Sequence, residues 1–390
     1  MQHKKKLLAL AISSVLLSAC GGSGGSDAKD SDQGAVTPTP APTVEPTTEP
    51  TPTTDFSYVE LDATDASQPA QLDLLSGATV TDNSWHIGYQ KYVGFKLNGG
   101  LSGSGKVSGC IAHQYSNLFD DAGNAVAAEF EQLTQASTQV DFTAVTAEAC
   151  SDFVSDSLIT QIKTADWLDA DYSNGAPVYS AKAGNGWIIR SASGDHYARV
   201  SVKQVAVAFG PTTSRKLVLS VENWDANAQQ FSPAVDSPEL DFSTTTAYWD
   251  LETNSLTTPE QGWDLSVKVS GRDYPLQVNG GASGNGKAGV GAVRVANIGA
   301  VTDPTDTAQV YKYFSDRAEG ILSKPGSYGP LEYSVKGQHK MWPTFTTYLI
   351  KDETADATNP RLFKVQVVSN YGTDGAQASA NLVLRYQELK

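Results

Sequence analysis

The chain has 390 residues, 40% of them hydrophobic, with 43 acidic against 28 basic side chains and a net charge of −15. That acidity argues against nucleic acid as a partner, and the apolar content is ample for a core. Five histidines, no G-x-S-x-G elbow and no H-E-x-x-H offer little from which to build a triad or a zinc hydrolase, so no enzyme is expected.

The chain opens on Lys4, Lys5 and Lys6, followed by an apolar run over residues 7–17 that is too short to remain as a membrane span. The run ends in Leu17-Ser18-Ala19-Cys20, the small residues and cysteine of a lipobox. Residues 1–19 are expected to be a lipoprotein signal peptide and Cys20 the lipidated residue. Two acyl chains already anchor stably, and a lipidated, acylated cysteine carries three. Gly21-Gly22 stands where an Asp would retain the protein at the inner membrane, so outer-membrane sorting is expected, on either face.

Residues 20–54 read as a tether. The stretch 21–32 is rich in Gly, Ser and Asp, and residues 35–54 hold six Pro and eight Thr. Such a segment has too little apolar surface to offset its ordering entropy. Its Pro-rich half favours an extended path of about 3.1 Å per residue, so the tether reaches up to roughly 100 Å. About 335 residues follow, enough for two domains or one large one.

Beyond Cys20 the only cysteines are Cys110 and Cys150. In an oxidising compartment the simplest outcome is one disulfide, stabilising by about 4 kcal/mol in the chain-entropy model. A zinc site lacks further ligands at the right spacing.

The remaining chain repeats itself. Ser84-Trp85-His86-Ile87-Gly88-Tyr89 is matched by Gly262-Trp263-Asp264-Leu265-Ser266-Val267. Lys96-Leu97-Asn98-Gly99-Gly100-Leu101-Ser102 is matched by Gln277-Val278-Asn279-Gly280-Gly281-Ala282-Ser283. Further on, Trp187-Ile188-Ile189-Arg190 and Tyr197-Ala198-Arg199-Val200-Ser201-Val202 correspond to Tyr348-Leu349-Ile350-Lys351 and Leu362-Phe363-Lys364-Val365-Gln366-Val367. The offset drifts between about 160 and 180, as loops of unequal length would produce. A division near residue 243 gives two tandem domains, 55–242 and 243–390.

Most segments alternate apolar with polar, the period of half-buried strands: 263–269 and 362–368, and similarly 205–209 and 382–386. One helix is expected between Phe142 and Ile162. A second is expected from Asp303-Pro304 through Val310, Tyr313 and Phe314. The fold class is mainly β and antiparallel, with one or two short helices per repeat.

Gly100 to Lys106 and Gly281 to Lys287 spell G-x-x-x-x-G-K, but Val107 and Ala288 occupy the place where a nucleotide site needs Ser or Thr for Mg²⁺. No helix pattern follows to point a dipole at a phosphate. A glycine-rich hairpin connection with positive-φ positions is the expectation.

The Trp-led strand, the Asn-Gly-Gly-x-Ser-Gly-x-Gly-Lys loop and the paired terminal strands resemble the HmuY family. The likeness runs over both repeats, nearly all of residues 55–390, although familiar members carry one copy. The resemblance implies a β-rich, surface haem-binding lipoprotein that delivers haem to a TonB-dependent outer-membrane receptor. It also implies two axial side chains, His–His or Met–Met, one in mid-domain and one just before the terminal strands. By register Val335 stands where a family histidine would be, with His339 and Met341 four and six residues later. These two are the candidate iron ligands, with Tyr333 and Tyr348 as further haem contacts. Mid-domain offers only Tyr311, Tyr313 or Tyr328, tyrosinate being a known haem ligand. In the first repeat the late segment has Tyr172 and no His or Met.

The other histidines have plainer readings. His3 lies in the signal, His86 replaces a strand Asp as a surface or pairing residue, His113 is structural, and His196 sits in a polar turn. Trp342 and Tyr348 suit a core or rim. The expectation is haem capture and hand-over, anchored through Cys20. The alternative is a surface lipoprotein of the same fold binding another tetrapyrrole, a metal chelate, a glycan or a protein.

Overall fold

A computed structural model describes residues 56–210 and 213–389. The expected signal peptide, Cys20 and the tether lie outside these residues. The fold is mainly β, 43% strand and 8% helix, with antiparallel sheets.

Two hydrophobic cores organise the chain into two lobes, each a two-layer packing of a large sheet on a small one. In the first lobe the large sheet runs in the order Ser57–Asp62, Asn381–Leu389, Arg361–Ser369, Thr347–Asp352, Val107–His113. The small sheet runs Ala78–Val80, Ala70–Asp73, Ile87–Gln90, Gly94–Leu97. Leu72, Ile87 and Leu97 of the small sheet meet Leu61, Ile350, Phe363, Val365 and Leu384 of the large one. In the second lobe the large sheet includes Ser214–Asp225, Tyr197–Ala208, Trp187–Arg190, Gly289–Val293 and Val310–Phe314. The small sheet runs Ser255–Thr257, Ala247–Asp250, Leu265–Val267, Leu276–Val278.

The two small sheets have the same strand order, and the strands Ile87–Gln90 and Gly94–Leu97 of one correspond in the repeat to Leu265–Val267 and Leu276–Val278 of the other. Strand pairing, however, does not follow the expected division at residue 243. The front half of the first repeat is completed by the rear half of the second: Ser57–Asp62 pairs with Asn381–Leu389, and Val107–His113 with Thr347–Asp352. Reciprocally, the strand Trp187–Arg190 of the first repeat pairs with Gly289–Val293 of the second. The halves are exchanged, as in a swapped dimer held within one chain.

The chain crosses between lobes at Ser157–Ile159 and recrosses at Arg317–Glu319, and these two strands pair antiparallel. Leu158 faces Ala318 at the centre, with Ser157 opposite Glu319 and Ile159 opposite Arg317. Equivalent positions of the two repeats therefore meet around a local pseudo-twofold.

Immediately before each crossing stands a buried aspartate. Asp156 Oδ2 accepts from the Leu97 N–H at 3.2 Å, and its carbonyl accepts from the Leu101 N–H at 2.9 Å. Asp316 Oδ2 accepts from the Val278 N–H at 3.0 Å and from the Ser283 hydroxyl at 2.7 Å, while Oδ1 accepts from the Gln161 N–H at 2.8 Å. Its carbonyl accepts from the Ala282 N–H at 2.9 Å. Burial pushes both carboxyls above the usual carboxylate range, and these hydrogen bonds oppose that shift.

The glycine loops close over these aspartates. They are not simple hairpins: each leads from the small sheet to the large one. Asn98 clamps the first, its amide donating to the Trp85 carbonyl at 2.9 Å and its Oδ1 accepting from the Gly105 N–H at 3.0 Å. Asn279 makes the same pair with Trp263 and Gly286, at 2.8 and 3.1 Å. Gly100 and Gly281 adopt φ of +61° and +63°, and a Cβ at either would collide with the carbonyl of Asp156 or Asp316. Only glycine combines that φ with that approach.

Among the described residues the α-helices are three short ones, Ala127–Gln132, Gln139–Ala144 and Thr164–Trp167. The helix expected over 303–314 is instead turns followed by the strand Val310–Phe314. Asp303 caps a turn through the Thr305 N–H, and the alternating Tyr311 and Tyr313 suit a strand edge better than a helix face. Helix Gln139–Ala144 covers the outer face of the first large sheet, where Arg385 and Lys364 are buried. Arg385 donates to the carbonyls of Gln135 and Thr138, and Lys364 to those of Thr143 and Val145. Cys110 and Cys150 form the expected disulfide, tying this cover to the sheet.

Asp316→Ala would leave three donors in the second lobe without an acceptor. It is expected to destabilise by about 3 kcal/mol or more in a chemical unfolding titration. An unchanged unfolding midpoint would remove the structural role assigned to the crossing.

Candidate functional site

The sequence candidates gather at one hairpin of the first lobe, Leu331–Tyr333 paired with Met341–Pro343. Tyr333 lies directly opposite Met341. The connecting turn is closed by the Ser334 N–H donating to the Lys340 carbonyl at 2.7 Å, with Ser334, Gly337 and His339 all at positive φ. His339 is exposed on this turn. Its Nδ1 is hydrogen-bonded to the Tyr333 hydroxyl at 2.8 Å. That contact orients the ring, and in the tautomer whose Nδ1–H donates to the Tyr333 oxygen the Nε2 lone pair is left for a metal, the second-sphere arrangement that suits a metal-binding imidazole.

The four candidates do not form one site. Met341 packs against the first core, and its N–H donates to the Tyr371 hydroxyl at 2.9 Å. Tyr348 is 1% exposed and donates its hydroxyl to the Lys324 carbonyl, so it cannot reach a bound porphyrin. Burial pushes its phenol far above the ordinary tyrosine range. This corrects the expectation of a Tyr348 contact: an apolar strand position facing the core wins over the polar tip. Tyr333 remains with His339, and Tyr328 lies edge-on to Tyr333 at 6.1 Å between ring centres.

Among the mid-domain tyrosines, Tyr313 donates its hydroxyl to the Pro304 carbonyl and Tyr311 lies under the Arg294 guanidinium at 4.1 Å, both in the second lobe. Tyr328 alone joins the hairpin. The exposed aromatic surface extends to Tyr92, which is 81% exposed. Tyr89 beside it has its hydroxyl pushed up to about 12 by burial, with smaller contributions from Tyr328, Tyr371 and Tyr92. The second lobe's corresponding hairpin, Leu168–Asp171 with Val178–Ala181, carries Tyr172 and Tyr179 but no His or Met.

A second polar constellation, not anticipated from sequence, sits at the matched positions His86 and Asp264. Asp264 is 2% exposed and its two oxygens accept from the Ala192 N–H at 2.5 Å and the Leu251 N–H at 2.6 Å. Burial pushes its carboxyl up to about 7; Glu252 beside it adds to the shift by accepting the Asp264 proton. Asp195, His196 and Glu252 bring donor atoms within 4.8 Å of one another, as do Asp250, Glu252 and Asp264, an oxygen-rich grouping of a kind that can hold a divalent cation. His196 is exposed, with Nδ1 2.9 Å from Asp195 and 3.3 Å from Glu252.

In the first lobe His86 does the same structural work. Its Nδ1 accepts from the Leu74 N–H at 3.2 Å, and Nε2 lies 3.3 Å from Asp352. Burial lowers its pKa against the pull of Asp352 and Asp73. The expectation of a pairing residue is met, but in the interior rather than at the surface. His113 packs edge-on to Tyr115 at 4.8 Å, as a structural residue would. The signal for this node was the His-for-Asp replacement between otherwise matching strands.

Because folding raises the Asp264 pKa above its ordinary value of 3.8, the native state holds a proton that the unfolded chain releases. The resulting destabilisation is absent below the unfolded value and complete above about 7. Wild type should therefore lose stability relative to Asp264→Asn between about pH 4 and pH 7, by at least about 1 kcal/mol. Parallel stability–pH curves would show that Asp264 is ionised throughout. Compared with known families and curated proteins, the chain matches no family model and no curated sequence.

Proposed function

We propose that this chain is a lipid-anchored, non-enzymatic binding protein of the outer membrane. It captures haem and passes it to a TonB-dependent receptor. One observation carries the haem reading: His339 stands exposed with Nδ1 held by Tyr333, so that Nε2 can ligate iron, beside the aromatic faces of Tyr333 and Tyr328. An imidazole held this way keeps its ring orientation before the metal arrives, lowering the entropic cost of binding. Met341, turned onto the core, supplies no second donor in this conformation. The site is thus a one-ligand platform whose other axial position is open to water or to a donor from a receptor. Hand-over by ligand exchange needs such an open position.

The same exposure favours a second reading. Porphyrin sites are generally walled clefts, whereas His339 and Tyr333 lie on an open face. A surface lipoprotein of this architecture that binds another tetrapyrrole, a glycan or a protein through Tyr92, Tyr328 and Tyr333 is the alternative.

Hemin titrated into residues 55–390 should give a shifted Soret band that saturates near one equivalent. His339→Ala should weaken binding by roughly tenfold or more, the scale expected for losing one metal ligand. Tyr333→Phe should change the band less, since the ligand remains and only its orientation is loosened. A spectrum identical to free hemin's abandons haem in favour of the second reading. A saturating band untouched by His339→Ala keeps haem and moves the site.

A further inference from the structure

The small sheet of the second lobe carries an open cleft of about 430 Å³ on its outward face, within the size range of ligand sites. Its walls come from two places: the segment just after the crossing, with Thr160 and Lys163, and the sheet, with Lys268, Ser270, Asp273 and Gln277. Gln277 is 6% exposed, and its Nε2 has no hydrogen-bond partner in the protein. Ser266, paired directly with Gln277 across the strands and 1% exposed, has an unpartnered hydroxyl as well. Two neighbouring orphaned polar groups are a departure from the rule that buried polar atoms find partners, and each costs about 1–3 kcal/mol unless something satisfies it.

Charge gives the cleft a sign. Although the chain is strongly acidic, neither Lys163 nor Lys268 has a carboxylate within ion-pair distance among the described residues. The matched face of the first lobe has a smaller cavity of about 150 Å³, lined by Gln90 and Lys96 among others. By the repeat, Gln90 corresponds to Lys268 and Lys96 to Gln277. Each lobe thus presents one lysine and one glutamine on this face, at interchanged positions, and the second has gained Lys163 and the larger volume from its crossing segment.

We infer that the second-lobe cleft is a binding site for a small hydroxylated carboxylate of the sugar-acid class. The ammonium groups of Lys163 and Lys268 and the Gln277 amide are hydrogen-bond donors suited to a carboxylate. Asp273, on the same wall, accepts from a ligand hydroxyl, and its negative charge opposes the doubly charged phosphate dianion more than a singly charged carboxylate. The site is separate from His339 and does not depend on haem binding.

Calorimetric titration of the full chain with glucuronate, succinate, inorganic phosphate and glucose tests the inference. Glucuronate should bind saturably at millimolar or lower concentration, succinate more weakly, and phosphate and glucose not measurably. Lys268→Gln and Lys163→Gln, both surface changes, should each weaken glucuronate by roughly tenfold, the loss expected for one charge-assisted hydrogen bond. Lys96→Gln in the first lobe should leave it unchanged. Lack of saturable glucuronate binding, equal binding of phosphate, or indifference to Lys268→Gln overturns the assignment. Hemin titration of Lys268→Gln should match wild type, so failure here and failure at His339 are distinguishable.

Discussion

Each lobe depends on a carboxylate placed at the point where the chain leaves it. Asp156 and Asp316 are the last residues before the two crossings, and each is buried beneath the glycine loop of its own repeat's front half. The acceptors they provide to Leu97 and Val278 tie the end of the small sheet to the chain as it departs. Because each loop's glycine allows backbone to within van der Waals contact of the aspartate, the loop has little room to move. A departing strand fixed in direction at this point reaches the other lobe rather than turning back. The pairing of Ser157–Ile159 with Arg317–Glu319 then locks both crossings together.

Much of this fold was legible as pattern and little of it as partnership. Period-2 alternation identified the terminal strands, which form as Arg361–Ser369 and Asn381–Leu389, and the repeat identified the matched small sheets. What alternation does not encode is which copy a strand pairs with. The rear halves of both repeats present similar apolar faces, Ile189 and Val200 in one and Ile350 and Val365 in the other, so either could complete either front half. The choice is made by Asp156, Asp316 and the short crossings, which have no sequence signature, since each aspartate lies tens of residues beyond the glycine loop that covers it. The misread helix at 303–314 has a similar origin. A capping Asp before a Pro marks a turn as readily as a helix start, and Tyr313 is held by its hydroxyl on Pro304.

Site residues were legible where chemistry is unusual for its neighbourhood. Register against the family resemblance pointed to His339 and Met341, and the structure puts both on the hairpin of Leu331–Tyr333 with Met341–Pro343, His339 in its exposed turn beside Tyr333. Met341 and Tyr348 were not separable from it by sequence, because exposure depends on which sheet the hairpin rests against. The lobes have diverged around a common frame. The first keeps the disulfide, a buried His86 and the His339 hairpin; the second has a buried Asp264 close to Glu252, a hairpin without His or Met, and the lysine-lined cleft. Duplication with exchanged halves lets one lobe change its surface while strands supplied by the other repeat preserve its core.

The exchange itself is most directly tested by amide-to-amide nuclear Overhauser contacts in perdeuterated residues 55–390. The arrangement described requires cross-strand contacts from Ser57–Asp62 to Asn381–Leu389, in the register that places Val59 opposite Leu384. Contacts from Ser57–Asp62 to Ser214–Asp225 in their place would mean that each repeat closes on itself, and would contradict the account.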